Sequence, residues 1–84
     1  MKVEVRKVRK DVPKEVMIQT EFIRLEAFLK LADAVSSGGE AKLLIQEGEA
    51  MVNGEVCTMR GKKLRPGDAV SFRGMTYLVT GLEA

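Results

Sequence analysis

Residues 24–72 read RLEAFLKLADAVSSGGEAKLLIQEGEAMVNGEVCTMRGKKLRPGDAVSF, and this stretch decides the fold. Its first half has apolar residues at the spacing of two short amphipathic helices, and its second half alternates as strands do between tight turns. A basic segment precedes the stretch and one further apolar run follows it. The stretch therefore predicts an α+β domain in which two packed helices lie against a small sheet.

The first helix is indicated by a stripe of apolar residues at helical spacing: Leu25, Phe28, Leu29 and Ala32. We expect this helix to begin between residues 21 and 24, with Thr20 available as a cap, and to end by residue 35. A second helix is predicted over residues 39–47, because Ser37 and Glu40 have the spacing of a capping box. Both helices are short, so each must pack against the strands to be stable.

Turn residues divide the rest of the chain into short strands. Asn53-Gly54 predicts a type I′ hairpin turn, and Arg65-Pro66-Gly67-Asp68 predicts a type II turn. Arg73-Gly74 marks a third turn. The expected strands are about 15–20, 49–52, 55–59, 69–72 and 75–80. We therefore predict a twisted, mainly antiparallel sheet of four or five strands.

The chain has 84 residues, which is enough for one hydrophobic core and no more. We expect residues 15–84 to form this domain and residues 1–14, with six Lys and Arg, to be an edge strand or a mobile arm. No apolar run approaches the roughly 18 residues that cross a bilayer, and residues 1–14 lack a signal-peptide core. We expect a cytoplasmic protein that does not bind membranes.

The chain contains no His and a single Cys, Cys57. These counts exclude an internal disulfide, a metal cluster of thiolates and imidazoles, and a nucleophile that imidazole activates. We therefore expect no metal, no cofactor and no enzymatic activity. Cys57 is expected to be a small, half-buried residue of a strand.

The formal net charge of +2 conceals a strong segregation of charge along the chain. Residues 1–14 carry a net charge of +4, residues 15–59 carry −5, and residues 60–73 carry +4. If the two basic blocks meet in space, they form a positive face on an otherwise acidic body. Such a face favours a partner with negative charge.

Several short motifs keep a fixed order along residues 24–72: RL-x-x-FLK, a Ser-containing turn, EA-x-x-LI-x-x-G-x-x-x-VNG, a basic stretch and PGD. This order resembles the S4 RNA-binding domain. With SSGGEAK, MRGKKLRPGD and no catalytic domain, the chain resembles the small stand-alone S4 proteins of bacteria, the YaaA type. The resemblance implies an S4-like fold, RNA binding by an L-shaped surface of two helices and a β-loop, and a link to ribosome assembly.

The resemblance also implies which residues contact RNA. Basic positions of the two helices correspond to Arg24, Lys30 and Lys42. The family's hairpin turn corresponds to Asn53 and Gly54, and its basic loop to Lys62, Lys63 and Arg65. We call residues 60–65 the basic loop, and its charge adds Arg60 to the residues expected to contact RNA. One departure is that the family commonly has Ser-Arg at the start of the second helix, where this chain has Ser37-Gly38. A usual phosphate-binding Arg is therefore absent.

Two interpretations of residues 36–40 stay open. Gly38 and Gly39, beside Ser37, would let backbone N–H groups approach a phosphate at a helix N-terminus. Alternatively, the glycines only form a tight turn and Ser37 only caps the helix.

For the basic loop, we expect Lys63 and Arg65 to point to the same face if the segment is extended, because they flank Leu64. Phe72 and Tyr77 could stack on bases, but we expect them to lie in the core.

These observations predict a non-catalytic protein, expected to be a monomer, that binds structured RNA. The expected target is ribosomal RNA or a ribosomal particle, and shape and phosphates should be read more than base edges. The alternative is a protein-interaction module whose basic patch docks an acidic partner. Phosphate contacts alone do not distinguish RNA from DNA.

Overall fold

The computed structural model of the protein describes residues 13–81, and the predicted arm or edge strand before residue 13 lies outside the described residues. The elements in chain order are β1 (Lys14–Ile18), β2 (Ile23–Arg24), α1 (Leu25–Leu31), α2 (Gly38–Gln46), β3 (Ala50–Val52), β4 (Glu55–Val56), β5 (Lys63–Leu64), β6 (Ala69–Phe72) and β7 (Met75–Gly81). The predicted α+β fold of two helices and a mainly antiparallel sheet is confirmed.

The main sheet has five strands in the order β1-β7-β6-β3-β4. Its neighbours are antiparallel except β1 and β7, which run parallel from the pair Lys14 and Tyr77 to the pair Ile18 and Gly81. Lys14, which the sequence assigned to the basic N-terminal segment, is thus the first residue of a paired strand. Because β1 and β7 come from opposite ends of the described chain, their pairing closes the domain.

A second sheet, made of β2 and β5 only, was not predicted. We call this two-stranded sheet the ribbon. The sequence placed residues 23–24 at the edge of the first helix and Lys63 in a loop. Strands of two residues have no readable alternation, and their partners are far apart in the chain, so no local pattern could reveal them. The first helix is correspondingly shorter than expected and ends at Leu31.

The core is one cluster that joins both helices to the inner face of the main sheet. Leu25, Phe28 and Leu29 of α1 are fully buried, as the apolar stripe predicted. Phe28 and Tyr77 meet edge to face, with 6.4 Å between the ring centroids. Burial of each such side chain stabilises the fold by about 1.5–3 kcal/mol. Phe72 is also buried, so the prediction that these strand aromatics belong to the core is confirmed.

The predicted turns are confirmed by positive backbone φ angles. Asn53 and Gly54 have φ of 51° and 89°, as a type I′ turn requires. Gly67 has φ of 103°, and the Asp68 N–H donates to the Arg65 carbonyl over 2.9 Å, as in a type II turn. These turns fix the positions of the segments on either side of the basic loop. Neither described helix is long and apolar enough to cross a membrane.

Candidate nucleic-acid interface

The ribbon brings two distant basic residues together. Ile23 is paired with Leu64, and Arg24 is paired with Lys63. Leu64 is fully buried and Ile23 packs against the core, so that pair faces inward. Because side chains alternate along a strand, Arg24 and Lys63 lie side by side on the exposed face. Arg65 follows Lys63 by two residues and is exposed as well, which agrees with the prediction that both flank Leu64 on one face.

Phe22 completes this exposed face, and sequence reasoning missed it. The Lys63 Nζ atom lies 4.9 Å from the centroid of the Phe22 ring, and Arg65 Cζ lies 6.0 Å from it. Both distances are within the range of a cation–π contact. The spacing to Arg24 could have revealed Phe22, since residues two apart share a face of an extended segment. We call Phe22, Arg24, Lys63 and Arg65 the ribbon face.

The basic loop is attached to the start of α1 through its backbone. The Leu25 N–H donates to the Lys62 carbonyl over 2.8 Å, and the Glu26 N–H donates to the Arg60 carbonyl over 3.1 Å. These bonds satisfy N–H groups that a helix N-terminus otherwise leaves unpaired. The predicted cap at Thr20 is wrong, because its hydroxyl donates to the Phe22 carbonyl instead. The loop is therefore held by main-chain atoms, and its side chains are left for other contacts.

Arg60 and Glu26 form the one ion pair within residues 13–81, with 4.0 Å between guanidinium nitrogen and carboxylate oxygen. The pair is partly exposed, so it adds at most about 1 kcal/mol to stability. The pair matters more for which cations of the described residues it leaves unpaired than for its contribution to stability. The side chain of Arg60 forms an ion pair with a carboxylate, whereas those of Arg24, Lys63 and Arg65 form none within this part of the chain.

A groove of about 350 Å³ lies between the two helices, lined by Glu26, Ala27, Lys30 and Gly38. Lys30 of α1 and Gly38, the first residue of α2, thus line the same groove. A ligand in this groove would contact both helices. Lys42 lies four residues after Gly38 on α2 and is exposed. Residues four apart lie on the same side of a helix, so Lys42 extends the groove side of α2.

The start of α2 is capped as the sequence predicted. Ser37 Oγ accepts from the Glu40 N–H over 3.2 Å, and the Glu40 carboxylate accepts from the Ser36 N–H over 2.8 Å. The packing of residues 13–81 does not require the two glycines that follow Ser37. A Cβ at Gly38 would meet nothing within 4 Å, and a Cβ at Gly39 would meet only Ser37 Oγ at 4.0 Å.

Asn53 links the β3–β4 turn to the Asp68 turn. Its amide oxygen accepts from the Ala69 N–H over 2.9 Å, and its amide nitrogen donates to Asp68 Oδ1 over 3.1 Å. The other Asp68 oxygen accepts from the Arg65 N–H over 2.8 Å, next to the ribbon face. Asn53 thus holds the segment that carries Arg65, a role that the sequence did not indicate.

A second groove, of about 370 Å³, runs beside the β3–β4 hairpin, and Asn53 and Lys62 are both part of its lining. The basic loop consequently lies between two grooves. Lys62 lines the hairpin groove, and Arg60 pairs with Glu26, which lines the helical groove. The ribbon face brings Arg24 beside Lys63 and Arg65.

Within residues 13–81, no cluster of acidic or Cys side chains is arranged to hold a metal ion.

Comparisons with known proteins identify a relationship over most of the chain. The S4 domain family model matches residues 16–80. The chain is also similar to a protein of Bacillus subtilis (strain 168) named probable ribosome maturation protein RlbA. The two are 49% identical over 59 residues, which is 70% of this chain and 83% of the Bacillus protein. The residues that the S4 model matches include α1, α2, the hairpin and the basic loop.

Proposed function

This chain belongs to the S4 domain family, and from that premise we propose that it is a non-catalytic protein that binds structured RNA. The proposed contact surface consists of the ribbon face, the remaining cations of the basic loop, and the groove between α1 and α2. The proposed target is ribosomal RNA or a ribosomal particle.

The observation that carries the proposal is the exposed pairing of Arg24 with Lys63, with Arg65 beside them. Like charges directly opposite each other destabilise a sheet. A bound anion would offset the repulsion between the two cations. Since no carboxylate pairs with them within residues 13–81, a polyanion is the natural partner. Each phosphate that these cations neutralise releases counterions and adds to affinity.

The same features favour recognition of shape and phosphates over bases. The loop cations are spaced by a backbone that hydrogen bonds to α1, so they form a fixed pattern rather than a mobile tail. Phe72 and Tyr77 are buried and cannot stack on bases. A fixed pattern of cations suits phosphates that a folded RNA also holds at fixed spacing.

The helical groove extends the proposed surface. Lys30 and Gly38 line it, and Lys42 lies along the same side of α2. Gly38 and Gly39 have no steric reason to be glycine within the described structure. This supports, as one proposal, that the residue 36–40 turn lets a phosphate approach backbone N–H groups. The Glu40 carboxylate, bonded to Ser36, opposes it, so the alternative of a plain cap stays a competing proposal.

The proposed link to ribosome assembly rests on the similar Bacillus protein, which is named a probable ribosome maturation protein. A small protein that binds ribosomal RNA by its phosphates could stabilise one fold of that RNA during assembly. In this proposal Asn53 contributes by holding Arg65 in place, in addition to any direct contact with RNA.

The experiment is a binding titration at low salt with a structured ribosomal RNA fragment, an unstructured RNA of equal length and a DNA duplex of equal length. The proposal predicts tightest binding to the structured RNA. Equal binding to all three would reduce the function to non-specific association with polyanions. No binding by folded protein would contradict the proposal and favour the alternative, in which the basic surface docks an acidic protein.

A further inference from the structure

We infer that Phe22 is a positioning residue, which holds Lys63 and Arg65 as a two-cation clamp for a phosphate group of the RNA. The inference rests on the proposed function and deepens it, because it names the two cations that bind one phosphate and the residue that holds them in place. Phe22 lies outside every motif that pointed to nucleic-acid binding.

The geometry comes from the ribbon register. Ile23 is opposite Leu64 and Arg24 is opposite Lys63. Continuing this register by one residue puts Phe22 opposite Arg65 and diagonal to Lys63. Accordingly, the ring centroid is 4.9 Å from Lys63 Nζ and 6.0 Å from Arg65 Cζ. One aromatic ring therefore contacts both cations.

The ring offsets the repulsion between the two cations. The side chains of Lys63, in β5, and Arg65, directly after it, repel each other and would otherwise extend apart into solvent. The negative face of an aromatic ring attracts both, and neither side chain forms an ion pair with a carboxylate within residues 13–81. A carboxylate would also compete with phosphate for the cations, whereas a ring does not. The aromatic ring therefore orders the cations and leaves their N–H donors free.

The backbone around Phe22 is itself fixed. The Phe22 carbonyl accepts from the Thr20 hydroxyl over 2.7 Å, and Ile23 and Arg24 are paired with β5. Directly after the opposite strand, the Arg65 N–H donates to the Asp68 carboxylate. Ordering the cations before binding reduces the entropy that is lost when phosphate is bound. This gain is the proposed contribution of Phe22 to affinity.

The test is a double-mutant cycle in RNA affinity, with Phe22→Leu, Lys63→Ala/Arg65→Ala and the combined triple variant. Phe22→Leu should weaken binding roughly two- to ten-fold, as expected for one or two cation–π contacts. Phe22→Tyr should restore affinity, because its ring also attracts cations. In the Lys63→Ala/Arg65→Ala background, Phe22→Leu should have no further effect.

Two outcomes would overturn the inference while leaving the proposed function intact. One is unchanged affinity in Phe22→Leu. The other is an equal loss from Phe22→Leu with and without Lys63 and Arg65, which would mean that Phe22 contacts RNA directly, as by stacking on a base. If the wild type does not bind the structured RNA, the proposed function fails first and this inference fails with it.

A measurement on the free protein checks the contact without RNA. The ε-methylene protons of Lys63 should show an upfield ring-current shift in the NMR spectrum of the wild type, and lose it in Phe22→Leu. The thermal unfolding of Phe22→Leu should stay close to that of the wild type, since the ring is only half-buried. An unshifted Lys63 signal in the wild type would contradict the positioning role.

Discussion

Arg24 and Lys63 are direct partners across the ribbon, although the first precedes α1 and the second lies in the basic loop, after α2 and the hairpin. Their pairing places like charges opposite each other on an exposed face, at some cost to the stability of the fold. It is the point where the two parts of the predicted RNA surface meet.

Arg24→Glu should stabilise the protein and weaken RNA binding at the same time. A Glu opposite Lys63 replaces repulsion by attraction, which should add about 0.5 kcal/mol to the free energy of unfolding. The same change should reduce RNA affinity by at least roughly ten-fold, because a charged contact of about 1.5–3 kcal/mol is lost. Urea denaturation and a binding titration measure the two effects. A variant that is less stable, or that binds RNA as well as the wild type, contradicts the account.

Asn53→Ala should destabilise the protein by about 1–3 kcal/mol, since it removes both bonds to the Asp68 turn and puts Ala, which tolerates positive φ less well than Asn, at a φ of 51°. Asn53→Asp is the matched comparison. It keeps an acceptor for the Ala69 N–H but places a second carboxylate beside Asp68, so it should also be destabilising. Urea unfolding of both variants provides the measurement, and wild-type stability in both would refute the linking role of Asn53.

Asp33→Gly should stabilise the protein by about 0.5–1 kcal/mol. Asp33 has φ of 62° just after α1, where its N–H donates to the Lys30 carbonyl and the Ala34 N–H donates to the Leu29 carbonyl. Glycine adopts this helix-ending geometry without strain, and the change also removes a negative charge from a helix C-terminus. Asp33→Ala keeps the strain and should not stabilise. Thermal unfolding distinguishes the two, and equal stabilities would contradict this reasoning.

Gly39→Ala decides between the two interpretations of the 36–40 turn. The new Cβ has room, so the variant should fold and be as stable as the wild type or slightly more so. If the backbone N–H groups hold a phosphate, RNA affinity should fall while stability does not. If affinity is unchanged, the turn is only a tight connection capped by Ser37. Ser37→Ala serves as the comparison, since loss of a cap should cost about 1 kcal/mol of stability.

Features that depend on neighbouring residues were predictable from the sequence. The Asn53-Gly54 turn, the Ser37 cap and the buried stripe of α1 follow from local conformational preference or from periodicity. The basic residues of the proposed surface were also identified, although their contact with RNA stays a prediction.

Contacts between distant segments were not predictable. The β2–β5 ribbon and the parallel pairing of β1 with β7 join residues that are far apart in the chain. The N-terminus of α1 is capped by the backbone carbonyls of Arg60 and Lys62. Every residue has a backbone carbonyl, so the side chains of the sequence do not reveal this cap. Phe22 was missed for a related reason. Its role depends on cations that only the ribbon brings to it.

The proposed function requires that the basic loop contacts RNA phosphates through its side chains. This contact can be tested apart from folding because the carbonyl of Lys62, rather than its side chain, caps α1. Lys62→Ala/Lys63→Ala/Arg65→Ala should therefore stay folded. Lys14→Ala/Arg73→Asn is the control, since it also removes positive charge but from β1 and from the β6–β7 turn, away from the loop.

The most direct measurement is the salt dependence of binding to a structured ribosomal RNA fragment for the wild type, the loop variant and the control. The wild type should show a steep slope of log affinity against log salt concentration. The loop variant should lose about 0.7–0.9 of that slope for each lost phosphate contact, and the control should keep the wild-type slope. Equal slopes for the wild type and the folded loop variant would contradict the claim that this loop binds the phosphates of RNA.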